Sequence, residues 1–343
     1  MGVGRSKNRN GIVRCVAIFI LIMIPGLSFA ASEVGGRPEK TEIIVTYAQP
    51  SGAFAQIWVA YEAGLFKKYG LDAQLQLLNP QVSAQAVVSE KADFYTDGPD
   101  LINARLHGGR VKYFGATVQQ LVFQMWGAKE IKDIQQLRGK TVAASTPRAA
   151  LDTATREALK KYGLIPDKDV KVLYVQSVPA ILSSVIGGKT AAGTLSAPNT
   201  LKAQEAGLTL LADIGKLDIP GLQVAYGTTE RYLKAYPNTI EAFLKAMAEA
   251  VVLCKKDPAV TKKAIAKYGQ INDPKLVEGT YDSFVPYFDM SLAVRVDAIR
   301  AQFGYLDEKE FAQAKNADPK EFFDNSFVDA LQKSGFLKSI GMK

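Results

Sequence analysis

The chain has 343 residues, 48% of them hydrophobic, with 42 basic and 34 acidic side chains, one histidine and two cysteines. That length and apolar share are enough for about two packed domains. The excess of +8 is scattered rather than gathered into a basic stripe, which gives no support for nucleic-acid binding, and no His/Cys cluster has metal-ligand spacing.

The N-terminus has the order of a secretory signal peptide. Arg5, Lys7, Arg9 and Arg14 precede the apolar run Cys15 to Ile24, Pro25-Gly26 breaks it, and Ser28 and Ala30 supply small residues, so residues 1–30 are expected to be removed by cleavage after Ala30. The run is too short for an ordinary membrane span, and no later stretch is apolar for long enough. Cys15, preceded by Ile12-Val13-Arg14, does not fit a lipoprotein anchor. Loss of four basic residues leaves 38 against 34 acidic ones, a net of +4, and makes Cys254 the only cysteine. It falls in the helical pattern Ile240, Phe243, Leu244, Met247, Val251, Cys254 and is expected in a core, with no internal disulfide.

Next in the chain come a strand ("EIIVTY"), the loop Gln49-Pro50-Ser51-Gly52 and a helix with a buried face of Phe54, Ile57, Trp58, Tyr61 and Leu65. Lys-Lys-Tyr-Gly-Leu at 67–71 follows, then a strand ("AQLQLL"), a helix ("SAQAVVSEK") and a strand ("ADFYTDG"). Further strands are predicted near 111–126. The same order then repeats: the strand "KTVAAS", the loop Ser145-Thr146-Pro147-Arg148, a helix with Ala150, Ala154, Ala158 and Tyr162 on one face, and a second Lys-Lys-Tyr-Gly-Leu at 160–164. A strand ("VKVLYV"), a helix ("PAILSSVIGGK") and a strand ("TAAGTLSAP") complete it. Ser or Thr before Pro marks a helix start, so the second unit's first helix is expected to begin at Pro147. Strands near 208–227 lead back, and helices are predicted around 238–256, 258–268, 292–303 and 326–334.

Two consecutive β-α-β-α-β units predict an α/β protein of two lobes, each a mostly parallel sheet flanked by helices. The expected division is 41–126 plus 222–343 for lobe 1 and 127–221 for lobe 2, with two hinge crossovers. Ligands of open parallel sheets bind beyond the carboxyl ends of the strands, so the two loops, with their helix N-termini, are expected to face one cleft.

At "AYEAGLFKKYGLDAQL", "KADFYTDGPD", "IKDIQQLRGKTVAAS" and "APNTLKAQEAG" the chain resembles the substrate-binding proteins of bacterial uptake ABC transporters, in the nitrate/sulfonate/taurine and thiamine-precursor branch. The resemblance covers nearly all of the chain after residue 30. It implies the type II periplasmic binding-protein fold and capture of a small solute for delivery to a membrane permease. With the signal peptide, the expected location is the periplasm; no cofactor, no nucleic acid partner and a monomeric state are expected. The ligand loops it implies fall on Ser51, Gly52, Ala53 and Phe54; on Thr96, Asp97 and Gly98; on Ser145, Thr146 and Arg148; and on Ser196 and Asn199. The last loop departs from the family pattern, since Ala191 and Ser196-Ala197-Pro198 stand where relatives have Asp and a Trp-Glu-Pro-like segment.

Helix N-termini with Arg148 suit an anionic solute such as a sulfonate, carboxylate or nitrate. Asp97 opposes a bare anion, so a zwitterion carrying an acid and a donor group would satisfy both, unless Asp97 only caps a turn. Phe54, Trp126 and Tyr226 could instead form a wall for a flat heterocycle such as a thiamine-precursor pyrimidine. The rival class is an enzyme, because a pyrimidine synthase shares the implied fold. His107 in "RLHGGR" and the absence of a Gly-x-Ser-x-Gly elbow give no segment for such chemistry, and a binding protein is expected. A sensory binding protein would use the same cleft.

Overall fold

β-branched and aromatic residues fill Glu42–Tyr47, and they form β1 inside a sheet rather than at its edge. The computed structural model describes residues 1–2, 36–306 and 309–342; the expected signal peptide lies outside the described residues from residue 3 onward. The described residues from 36 onward pack as one unit, to which all that follows refers.

From β1 the chain runs through α1 (Ala55–Glu62), α2 (Leu65–Lys68), β2 (Asp72–Leu77), α3 (Pro80–Val88), β3 (Phe94–Asp97), α4 (Asp100–Leu106) and β4 (Val111–Gln120). It continues with β5 (Gln124–Gly127), β6 (Thr141–Ala144), α5 (Ala150–Lys161), β7 (Lys171–Tyr174), α6 (Val178–Ile186), β8 (Ala192–Leu195), α7 (Asn199–Glu205) and β9 (Thr209–Asp213). β10 (Pro220–Thr229) returns to the first sheet. It is followed by α8 (Glu230–Ala235), α9 (Pro237–Lys256), α10 (Pro258–Tyr268), α11 (Pro274–Phe284), α12 (Val296–Tyr305), α13 (Ser326–Lys333) and α14 (Phe336–Ser339).

The two five-stranded sheets have equivalent orders, β2-β1-β3-β10-β4 and β7-β6-β8-β5-β9. In each, three strands pair in parallel and the fourth in the order, β10 or β5, runs against both neighbours. The architecture is thus two-lobed and mostly parallel. β5 belongs to the second sheet, so the expected boundary at 126/127 would cut it from its partners β8 and β9; the first passage between sheets is residues 121–123 and the second is 214–219.

The repeated pentapeptide is a helix stop. Gly70 and Gly163 have φ of +79° and +73°, a left-handed conformation that costs glycine little. Leu71 N–H donates to Phe66 C=O at 2.9 Å and Gly70 N–H to Lys67 C=O at 3.0 Å; Leu164 and Gly163 bond in the same way to Leu159 and Lys160, both at 2.9 Å. Both copies therefore make a Schellman cap, and the buried leucine that follows starts the return to the sheet.

Other helix starts and faces differ in detail. α5 begins at Ala150, not Pro147, because Arg148 has φ +64°, which a right-handed helix cannot continue. Asp152 Oδ2 instead accepts from the Arg148 N–H at 2.7 Å and holds the turn. On α1, Ile57 and Trp58 are buried but Tyr61 is 43% exposed. Cys254 is buried in the first core, as its spacing predicts. No helix among the described residues is long and apolar enough to cross a membrane.

Candidate functional site

Strand ends from both sheets converge on one cleft. β1 hands over to Ala48–Ser51, β3 ends in Asp97, β6 leads to Ser145 and β8 to Ser196, the position at which open parallel sheets hold ligands. The cleft contains about 440 Å³ of space between atoms, counting its open mouth. Ala48, Gln49, Ser51, Ala53, Phe54, Pro80 and Asp97 line one side. Phe123, Ser145, Ala149, Ala150, Leu151, Val178 and Ser196 line the other, and Gln223 of β10 also borders the cleft.

Six of the residues singled out from the sequence thus border the cleft: Ser51, Ala53, Phe54, Asp97, Ser145 and Ser196. Gly52 lies beside it, donates its N–H to Ala197 C=O across the sheets at 3.4 Å, and packs so closely that a Cβ would sit 2.6 Å from Thr280 Cγ2. Gly98 is pressed between the lobes, where a Cβ would sit 3.1 Å from that of Ala150 and 3.2 Å from Leu222 O. Thr96 is fully buried and donates its hydroxyl to Thr46 C=O. Thr146 is buried with no partner for its hydroxyl, and Asn199 is buried at the start of α7; neither lines the cleft.

Arg148 does not line the cleft either. Its guanidinium is at the surface, 3.0 Å from Glu310 Oε2 and over the Phe311 ring, and so joins the second sheet's loop to the first lobe's C-terminal segment. Two of the three expected aromatics are core residues: Tyr226 donates to Thr117 at 3.1 Å and Trp126 to Gln124 at 3.1 Å. Phe123, in the first passage between sheets, stands opposite as the second cleft aromatic. It, Gln49 and Gln223 carry no signal as site residues in the sequence, apart from Gln49's place in the first loop.

Asp97 is the only ionisable side chain among the described lining residues. Burial, with the nearby Asp100 carboxyl adding to it, pushes its pKa well above the usual carboxylate range, against a smaller opposing effect of the Gly98 N–H. Asp100 is pushed up to about 7, mainly by burial, while the Tyr95 hydroxyl that donates to it at 3.1 Å favours its charged form. Tyr113 donates to Gly98 C=O at 2.7 Å and fixes the turn that carries Asp97.

The first turn of the twelve-residue α5 brings Ala150 and Leu151 to the cleft, with N–H groups that have no partner within the helix and the positive end of its dipole. Donors are therefore backbone N–H groups, serine hydroxyls and glutamine amides, and the one strong acceptor is a carboxyl. His107 lies elsewhere, its Nδ1 2.9 Å from Asn103 C=O and its ring against Phe311. Among the described residues no group of three or more His, Cys, Asp or Glu is placed to hold a metal ion.

The sequence pattern of the family described as NMT1/THI5 like matches residues 51–261. No curated protein matches the chain. Among solved structures, a protein of Bordetella bronchiseptica RB50 superposes with a TM-score of 0.74 at 18% identity, over 87% of this chain and 99% of that one. The alkanesulfonate-binding protein SsuA of Xanthomonas axonopodis pv. citri, bound to MOPS, gives 0.67 at 18% identity, over 84% and 98%. The periplasmic nitrate-binding protein NrtA of Synechocystis PCC 6803 gives 0.64 at 16% identity, over 87% and 90%. At these identities the likeness is one of fold.

Proposed function

We propose, from the premise that the chain belongs to the NMT1/THI5-like family, that it is an extracytoplasmic solute-binding protein serving an ABC importer. The observation that carries the reading is the cleft itself: equivalent strand ends of two equivalent sheets meet there, with a helix N-terminus, three serines and a buried carboxyl around a small space. In this reading the sheets are two lobes, residues 121–123 and 214–219 are the hinge, and residues 1–30 direct export to the periplasm and are removed after Ala30. The solute lands on one lobe and the other closes over it, which removes water and strengthens each polar contact. The closed lobes present a composite surface to the permease. The chemistry is binding rather than catalysis, because the lining residues hold donors and one acceptor but no nucleophile paired with a base.

The solute is a small organic molecule. An anionic or zwitterionic one is supported by the α5 N-terminus with Ser145 and Ser196, but it loses the contribution expected of Arg148, which pairs with Glu310. A flat heterocycle is favoured by Phe54 and Phe123 on the two sides of the cleft. A thermal-shift screen of the purified protein against sulfonates, carboxylates, nitrate, amino acids and pyrimidines tests the reading. A solute at a hundred times its Kd stabilises the fold by about 2.7 kcal/mol. Failure of every class to raise the Tm would count against solute binding.

A further inference from the structure

Two carboxyls stand three residues apart where the two sheets' lobes touch. Asp97 ends β3 and Asp100 opens α4, and they are 7% and 5% exposed. Gly98, between them in the chain, is a point of contact: a Cβ on it would sit 3.1 Å from that of Ala150 in the other lobe. Asp97 itself borders the cleft that Ser145, Ala149 and Ala150 line from that lobe. The second lobe thus helps to keep water from this turn, and drawing it away uncovers the pair. Neither carboxyl has an ion-pair partner in contact among the described residues. Asp100 accepts from the Tyr95 hydroxyl at 3.1 Å, and Asp97 Oδ2 is buried with no hydrogen-bond partner. The Tyr113 hydroxyl of β4 is spent on Gly98 C=O. From the second lobe Arg148 acts on Asp100 through space, but its guanidinium is paired with Glu310; Asp152 of α5 is taken up by Arg156, Tyr174 and the Arg148 N–H.

Carboxyls shielded from water and without a countercharge in contact resist ionisation, the more so when two stand together. Burial is the main cause that raises both, and the Asp100 charge adds to it at Asp97. The Gly98 N–H, the Tyr95 hydroxyl and Arg148 oppose it only in part. Where water reaches the turn the burial is relieved, and both groups return toward the ordinary carboxylate value of about 4. The sign of the linkage follows. Below about pH 4 both forms are protonated and the pair does not discriminate between them. As pH rises from there toward the value in the closed form, about 7 for Asp100, the open form gives up protons that the closed form keeps, so opening becomes easier.

Resting on the reading of the two sheets as hinged lobes, though not on any particular solute, we infer that the Asp97–Asp100 pair makes lobe closure proton-linked: the closed form keeps protons on the pair, the open form gives them up, and the lobes part more readily in neutral than in acid medium. The experiment is small-angle X-ray scattering of the purified protein, dialysed free of small molecules, at pH 5, 6, 7 and 8, with circular dichroism at each pH to follow the fold. It is repeated for Asp97→Asn, Asp100→Asn and the double variant, whose amides stay neutral throughout. The expected result is a radius of gyration that grows from pH 5 to pH 8 in wild type with unchanged circular dichroism. The growth is expected to shrink in each single variant and to vanish in the double variant, which keeps the compact radius at pH 8. A wild-type radius that does not change with pH, or a change as large in Asp100→Asn and the double variant as in wild type, would overturn the inference. Either result leaves solute binding to be decided by the thermal-shift screen, which does not depend on the pair.

Discussion

Arg148 illustrates how one dihedral angle redirects a side chain. At φ +64° the residue leaves the helix that its neighbours would start, and its guanidinium reaches Glu310 instead of the cleft. A sequence reading sees Ser-Thr-Pro-Arg before a helix and assigns an anion grip, because the left-handed turn and the distant acid are both invisible to local spacing. Asp97 was legible as the end of a strand that opens on the cleft, but its burial was not, since elements far apart in the chain set it. Asp97 and Asp100 both have folded pKa values above the unfolded value of about 4. As pH rises from about 4 the unfolded chain gives up protons that the folded chain keeps, so stability falls as pH approaches the folded value, about 7 for Asp100. Denaturant unfolding at pH 5 and pH 7.5 is expected to show the lower stability at pH 7.5, and Asp100→Asn to reduce the difference; an equal difference in wild type and variant would contradict the assignment. Gly52 makes a steric prediction. A Cβ 2.6 Å from Thr280 and 2.8 Å from Phe284 forces one of them aside, so Gly52→Ala should cost about 1–3 kcal/mol in denaturant unfolding.

Among the elements, the two Lys-Lys-Tyr-Gly-Leu caps were legible because each is local: two lysines end a helix, glycine turns the chain left-handed and leucine enters the core. Open space or ordinary contact surrounds Gly70 and Gly163, so alanine at either would pay only for the conformation, about 1–2 kcal/mol. Similar losses for Gly70→Ala and Gly163→Ala in denaturant midpoints would bear out equivalent caps; a loss at one alone would not. The two-lobed, mostly parallel arrangement followed from the repeat for the same reason, since each β-α-β unit carries its own hydrophobic pattern, whereas the strand order within each sheet did not. What the pattern could not fix was the ownership of β5. Its four residues read equally well as the end of the first lobe, and only pairing with β8 and β9 assigns them to the second sheet. α11 was missed altogether. Pro274 at its first turn and Asp273, which accepts from the Lys275 N–H at 2.8 Å, are ordinary start signals, and Leu276, Val277, Thr280 and Phe284 form its buried face.

At the scale of the whole molecule, polar contacts that join the lobes beside the cleft include Gly52 with Ala197, Gln81 with Pro147, and Arg148 with Glu310. Half-exposed ion pairs contribute up to about 1 kcal/mol, so Arg148→Ala should loosen solute binding by no more than about fivefold, and Glu310→Ala should do the same without adding to it in the double variant. A far larger loss for Arg148→Ala in titration would return the arginine to the ligand site. The central claim is that the solute is held between the lobes, and the most direct measurement is the thermal shift given by a binding solute in wild type and in Ser145→Trp, whose indole would fill the cleft. The account predicts that the shift seen in wild type disappears in Ser145→Trp while the variant keeps a cooperative unfolding transition. A shift of undiminished size in Ser145→Trp would place the binding site elsewhere on the molecule.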